Sequence, residues 1–300
     1  MTLTTQVAVA DARPAPFTAK PAVEPARETF TPAGRPVRLA RLRRLRSPLG
    51  IYTTPVLLVA AWQLACSEGA IPRTVAASPL QVVQAGIHLW QVGAPSTLGE
   101  DLRVSLVRAL LGLAIGASAG ALAATLAGLS RFGEQLFNGP VQIFNTVPFL
   151  ALLPLMIMWF GIGEESKVLL IALGASIPVY INLFAAIRGV DQRLVEMAAA
   201  AGAGRRRLIL RVLLPGALPG LLVGLRFALA YSVLGLVVAE QINATSGIGF
   251  MIIQAQTYDR LDEMFLGLVI YAVLGLFADQ IVRVLERVLL VWRPAYGAGR

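Results

Sequence analysis

The stretch EMAAAAGAGRRRLILRVLLPG, residues 196–216, decides how the chain is read. Small residues run into three consecutive arginines, then into an apolar stretch that meets a proline. Segments apolar enough to cross a bilayer lie on either side. Of the 300 residues, 56% are hydrophobic and 14% charged, with a mean hydropathy of +0.70. An ordinary soluble domain carries about 25% charged residues. Six segments, at about 50–67, 104–129, 139–160, 168–187, 217–239 and 264–284, approach the length that spans hydrocarbon. They lack the polar stripe at helical period that marks a helix of a soluble protein. The composition therefore predicts an all-α membrane protein with about six transmembrane helices.

The charges orient it. A formal charge of +9 would suit nucleic acid, but the arginines do not spread over a soluble face or alternate with aromatics. They collect in alternate loops instead. The run RLARLRRLR (38–46) precedes the first span, Arg131 follows the second, and Arg188 to Arg211 follow the fourth. Arg283, Arg287 and Arg293 close the sixth. The intervening loops hold only Arg73, Arg103, Lys167 and Arg260, beside acids such as Glu100, Glu164 and Asp262. Positive residues favour the cytoplasmic side, so both termini and the opening stretch are expected there.

Residues 1–47, rich in Ala, Pro, Thr and Val without a period, read as a disordered cytoplasmic extension ahead of a membrane domain at 48–295. A cleaved signal peptide would place its charged run and apolar core nearer residue 1, with no five spans to follow. Cys66 has no second cysteine to pair with, and with His88 it makes no zinc site.

Within the basic loop, Asp191 is a good helix N-cap and Gln192 to Ala201 suit a short helix. Gly202 and Gly204 permit a sharp turn, and a second helix is expected from Arg205 until Pro215. The result is a helical hairpin facing the cytoplasm. A basic loop bound to anionic lipid heads explains the arginines. It leaves the spacing of Glu196, Gly202 and Pro215 unexplained.

That spacing resembles the EAA signature of importer-type permeases of the ATP-binding-cassette transporters: E-A-A, three residues, G, nine residues, I, one residue, L-P. Glu196 takes the first place, Met197 and Ala198 the alanines, Gly202 the glycine, Val212 the isoleucine, and Leu214-Pro215 the last pair. Further blocks are similar to the nitrate/sulfonate/taurine branch of that family. They are SLVRALLGLAIGASAG (105–120), VPFLALLPLMIMWFGIGEESKV (147–168), LPGALPGLLVGLRFAL (214–229), VVAEQINATSGIGFMI (237–252) and ADQIVRVLERVLLVWRP (278–294). The resemblance covers about 70–295. It implies a type I importer permease in the bacterial inner (plasma) membrane, paired as a homodimer. Two ATPase subunits would sit inside and a soluble binding protein outside. It also implies that the loop 188–216 carries the coupling helix, with Glu196, Ala198, Gly202, Arg205, Arg206, Arg207 and Pro215 as its coupling residues. The expected cargo is a small anion such as a sulfonate, taurine or nitrate.

Other residues are legible without the resemblance. Gly112, Gly116 and Gly120 share one helix face and suit either close helix packing, within the subunit or with a second copy, or a pore lining. Pro148 and Pro154 are expected to bend or break the third span. Arg108 and Arg226 are expected to snorkel from span ends, Asp279 and Arg283 to pair four residues apart, and Glu240 to close the fifth span on the outer side. GIGEESK (161–167) lacks the glycine before lysine that a phosphate-binding loop needs. The other lysine, Lys20, lies in the extension, so ATP is expected to bind a partner chain and no cofactor to bind this one. No nucleophile–base–acid set points to an enzyme. The competing class, an ion-coupled secondary transporter, would need coupling carboxylates within the spans and inverted repeats, and would leave the hairpin without a use.

The charge asymmetry makes a direct forecast. An Ala203→Cys variant in a Cys66→Ser background is expected to resist an impermeant thiol reagent added outside intact cells and to react after permeabilisation. Labelling in intact cells would overturn the orientation.

Overall fold

The computed structural model describes residues 49–72, 74–91 and 98–290, without the side chains of 49–52 and Asn243. The extension at 1–47, its Lys20 and arginine run, Arg73 and Arg293 lie outside the described residues. Residues 1–52 and 53–300 are separate units, and of the first only the start of a helix is described.

Described residues fold as helices. In order these are α1 (Leu49–Ser67), α2 (Pro79–Gln91), α3 (Leu98–Leu129), α4 (Arg131–Thr146), a 3-10 turn (Phe149–Leu152) and α5 (Leu153–Phe160). Then follow α6 (Glu164–Arg188), α7 (Gln192–Ala200), α8 (Arg205–Leu208), a π-helical turn (Ile209–Leu213), α9 (Leu214–Asn243), α10 (Ile248–Thr257) and α11 (Leu261–Leu289). Four described helices are long and apolar enough to cross a membrane: α3, α6, α11 and the run Arg205–Ile242. The pair α4 and 149–160 makes a fifth if it counts as one broken span. The apolar stretch Thr53–Ser67 of α1 is shorter. The six expected segments thus all fall on helices, but not as six uniform spans. The amphipathic α2 and the short apolar α10 lie between the expected spans.

The largest departure is at 139–160, expected as one bent span. Here the chain turns by 94° between α4 and the Phe149–Phe160 segment. Val147 is extended (φ −83°, ψ 127°), as the residue before a proline must tend to be. Pro148 therefore makes the break. Pro154 does not: it sits in the first turn of α5, where its missing N–H has no helical partner to lose. Pro215 sits in the first turn of α9, at the start of the fifth span as expected, but the helix from Arg205 runs on into it through the π-helical turn instead of ending there. That wider turn contains Arg211, whose carbonyl a proline ring four residues on would otherwise strike.

The core is α6, with α3 on one side and α9 on the other. The glycine stripe of α3 makes this possible. A Cβ at Gly112 would lie 2.5 Å from Ile171 Cγ2, and one at Gly116 or Gly120 would overlap the carbonyl oxygens of Ala172 or Ser176. The stripe therefore faces α6 of the same chain, which decides between the two uses open from sequence. From the other side, Gly220 and Gly224 of α9 approach the α6 backbone at Asn182, Pro178 and Val179. Lipid offers helices no hydrophobic drive to associate, so contact between backbones and small side chains must supply the adhesion.

Gly116→Ala is expected to destabilise the protein by about 1–3 kcal/mol, because its methyl has no space. Thermal unfolding in detergent would show it. Gly139→Ala, where nothing lies within 4 Å, is expected to leave the melting temperature unchanged or raise it.

Candidate functional site

The basic loop folds as the expected hairpin. The Asp191 side chain accepts from the Arg193 amide at 2.9 Å and caps α7. At the other end, Ala203 N–H donates to the Ala198 carbonyl and Gly202 N–H to that of Ala199, both at 3.0 Å. This paired closure demands a left-handed residue between its two bonds, and Gly202 supplies it with φ +75°. α7 then lies against the π-helical turn and α8. Glu196 is exposed and accepts from Gln192 Nε2 at 2.9 Å, while Arg205, Arg206 and Arg207 are exposed on α8. Ala198 is half-buried. Leu194 and Met197 of α7 are 50% and 66% exposed, an apolar face the chain itself leaves uncovered. Pro215 is not on the hairpin: with Gly189, Gly216 and Gly220 it lines a cleft between α6 and α9.

A second assembly lies near the opposite ends of these helices. Arg108, only 2% exposed, donates from Nη1 to Glu240 Oε1 at 2.8 Å and from Nη2 to Glu164 Oε1 at 2.6 Å. It also donates to the Ser246 carbonyl at 2.7 Å. Glu240 is 1% exposed and accepts further from Ser105 Oγ (2.7 Å), Gly249 N (3.0 Å) and Tyr271 Oη (3.0 Å). Lys167 donates to Glu164 at 3.0 Å. The amides of Gly247 and Ile248 donate to Asp101 (2.7 Å) and Ser105 Oγ (2.9 Å). Two carboxylates and a hydroxyl thus receive the free amides at the start of α10, where the helix dipole also favours the negative charges. Gly247 has φ +116°, and a Cβ there would lie 2.5 Å from Glu240 Oε1.

This cluster corrects the expectation for Arg108, which does not snorkel but is buried and held by two carboxylates. Arg226 is also paired, with Nε 3.2 Å from Asp279 and Nη2 3.3 Å from Glu286 of α11. The Asp279–Arg283 pair forms as expected, at 2.7 Å. Ser105, Glu164, Lys167 and Tyr271 were not singled out as a group from sequence. Their signal was that Ser105 with Arg108, Glu164 with Lys167, and Glu240 each stand in a different one of the quoted blocks.

The third feature is a cavity of about 550 Å³ at the broken span. Asn145, Thr146 and Pro148 line it from the break, Gly174, Pro178 and Asn182 from α6, and Phe227, Tyr231 and Leu234 from α9. The Phe149 ring packs against Tyr231, with ring centres 5.4 Å apart.

A glycine-packed helical core, a broken span beside a cavity and an exposed basic hairpin are the features of a helical membrane protein, and the relatives of the chain say of which class. Residues 115–290 match the family described as "Binding-protein-dependent transport system inner membrane component", and the chain belongs to that family. It is 45% identical over 242 residues to the "Putative aliphatic sulfonates transport permease protein SsuC" of Escherichia coli (strain K12), covering 81% of this chain and 91% of that protein. It is 35% identical to the "Taurine transport system permease protein TauC" of the same organism, covering 81% and 89%. The fold is shared with a chain of an amino acid ABC transporter solved with histidines, at a TM-score of 0.55 and 19% identity, over 71% of this chain and 99% of that one.

The buried cluster makes the sharpest stability forecast. Arg108→Met would leave Glu240 buried without its charge partner, and is expected to destabilise the protein by about 3–5 kcal/mol. Arg103→Met, at an exposed pair with Glu100, is expected to change it by less than about 1 kcal/mol. Thermal unfolding of the two variants side by side would check this.

Proposed function

We propose that the chain is the membrane subunit of an importer for a small anion of the sulfonate, taurine or nitrate type. Two copies pair around one pathway in a bacterial inner membrane, with both termini and the α7–α8 hairpin cytoplasmic. Two ATPase subunits bind the hairpins, and a soluble binding protein delivers the anion from outside. The names of the similar permeases support the cargo, and the family description supports the binding protein.

The observation that carries the coupling role is the uncovered face of α7. Leu194 and Met197 stand exposed on a nine-residue helix with no buried residue of its own. Such a helix gains little from its own chain, and its stable form needs a groove elsewhere. Glu196 and the arginines 205–207 add charge at the margins of that face. When the ATPases close on ATP, they pull the hairpins together. The continuous run from Arg205 into α9 carries the movement into the membrane.

Gly202 gives the test. A β-branched residue at φ +75° costs on the order of 1–3 kcal/mol of strain, although the space around it is open. Gly202→Val is expected to insert normally, lose transport and copurify poorly with its ATPase. Glu196→Lys is expected to do the same. If the hairpin served only to bind lipid, neutralising Arg205, Arg206 and Arg207 together would matter and Gly202→Val would not. Normal uptake by Gly202→Val with the ATPase bound would overturn the coupling role.

A further inference from the structure

We propose that the cavity at the broken span is a station on the substrate path, and that it holds a monoanion through neutral donors rather than a fixed positive charge. The proposal rests on the reading of the chain as an anion importer. None of the residues lining the cavity is charged. The cations set in the neighbouring spans are already committed: Arg108 to Glu164 and Glu240, Lys167 to Glu164, and Arg226 to Asp279 and Glu286.

The polar groups that remain are few, and their bonding sorts them. Thr146 Oγ1 donates to the Ile143 carbonyl at 2.7 Å, and Asn182 Nδ2 to the Pro178 carbonyl at 2.9 Å. Asn145 and Tyr231 keep an amide and a hydroxyl without a hydrogen-bond partner among the described residues. Both line the cavity, each beside apolar lining residues: Phe144 next to Asn145, and Phe227 and Leu234 one turn either side of Tyr231. An oxyanion head can take its hydrogen bonds from Asn145 and Tyr231 while an apolar body rests on those residues.

The physics favours this arrangement for a path. A permeating solute must be bound well enough to enter and weakly enough to leave. An unpaired guanidinium in a low-dielectric cavity would hold an anion too firmly to release it, whereas neutral donors compensate only part of its lost hydration. Because desolvation energy grows with the square of the charge, such a cavity suits a single negative charge and disfavours a dianion.

The experiment uses the complete transporter in vesicles, supplied in turn with butanesulfonate, methanesulfonate and nitrate, and follows whichever anion the wild type accumulates with ATP. Asn145→Asp places a negative charge where the head group would sit. It is expected to lower the uptake rate by about tenfold or more. Asn145→Ala, which removes a donor without adding charge, is expected to lower it less, and Tyr231→Phe likewise. All three are expected to keep the ATPase bound. A Leu234→Cys variant in the Cys66→Ser background is further expected to be shielded from an anionic thiol reagent by the transported anion. Equal losses in Asn145→Asp and Asn145→Ala, or wild-type uptake by Asn145→Asp, would overturn the neutral-donor station while leaving the importer reading intact. A wild type that accumulates none of the three anions would overturn both.

Discussion

The close approach of α3 to α6 is the contact on which everything else in this subunit rests. At Gly116 and Gly120 the α3 backbone lies directly against the backbone of Ala172 and Ser176, and at Gly112 the Ile171 side chain fills the space that the glycine leaves. That contact fixes the positions of both helices. With α9 pressed on the far side of α6 through Gly220 and Gly224, the three helices act as one body. The hairpin hangs between two of its members, after the end of α6 and before the start of α9. The broken span departs from helical geometry where its irregular backbone is laid beside this body and lines a cavity.

Ion pairing completes the half away from the hairpin. Arg108 leaves α3 four residues before Gly112 and binds carboxylates on both α6 and α9. Ser105, one turn earlier, ties α3 to the start of α10. Burying so many charges yields little net stability by itself. Its value is in register, since a helix slid by one turn would strand Glu240 or Arg108 in a dry interior.

What could be read from sequence follows from the range of the interactions. The hairpin was legible because its causes are local: an Asp191 cap, a run of helix formers and a glycine at the one left-handed position. The glycine stripe was legible as a packing face, but not its partner, which depends on tertiary fold. Proline signals were half legible. Pro148 breaks the chain and Pro154 does not, and the difference is one of position within a turn. The ion cluster was missed as a unit because Arg108 and Glu240 stand 132 residues apart. Nothing along the chain shows that distant blocks carrying single charges meet at one point. Snorkelling was the reasonable expectation for an arginine near a span end, and burial with two partners replaced it.

The paired charges have an electrical consequence. Moving one elementary charge across a membrane potential takes about 2.3 kcal/mol per 100 mV. Arg108 and Lys167 lie against Glu164 and Glu240, and Arg226 against Asp279 and Glu286. When these helices tilt as a body, each positive charge moves with a negative one. The scaffold carries almost no gating charge from these groups, so the membrane voltage has little purchase on any such movement. Any electrical work in a transport cycle then falls on the cargo.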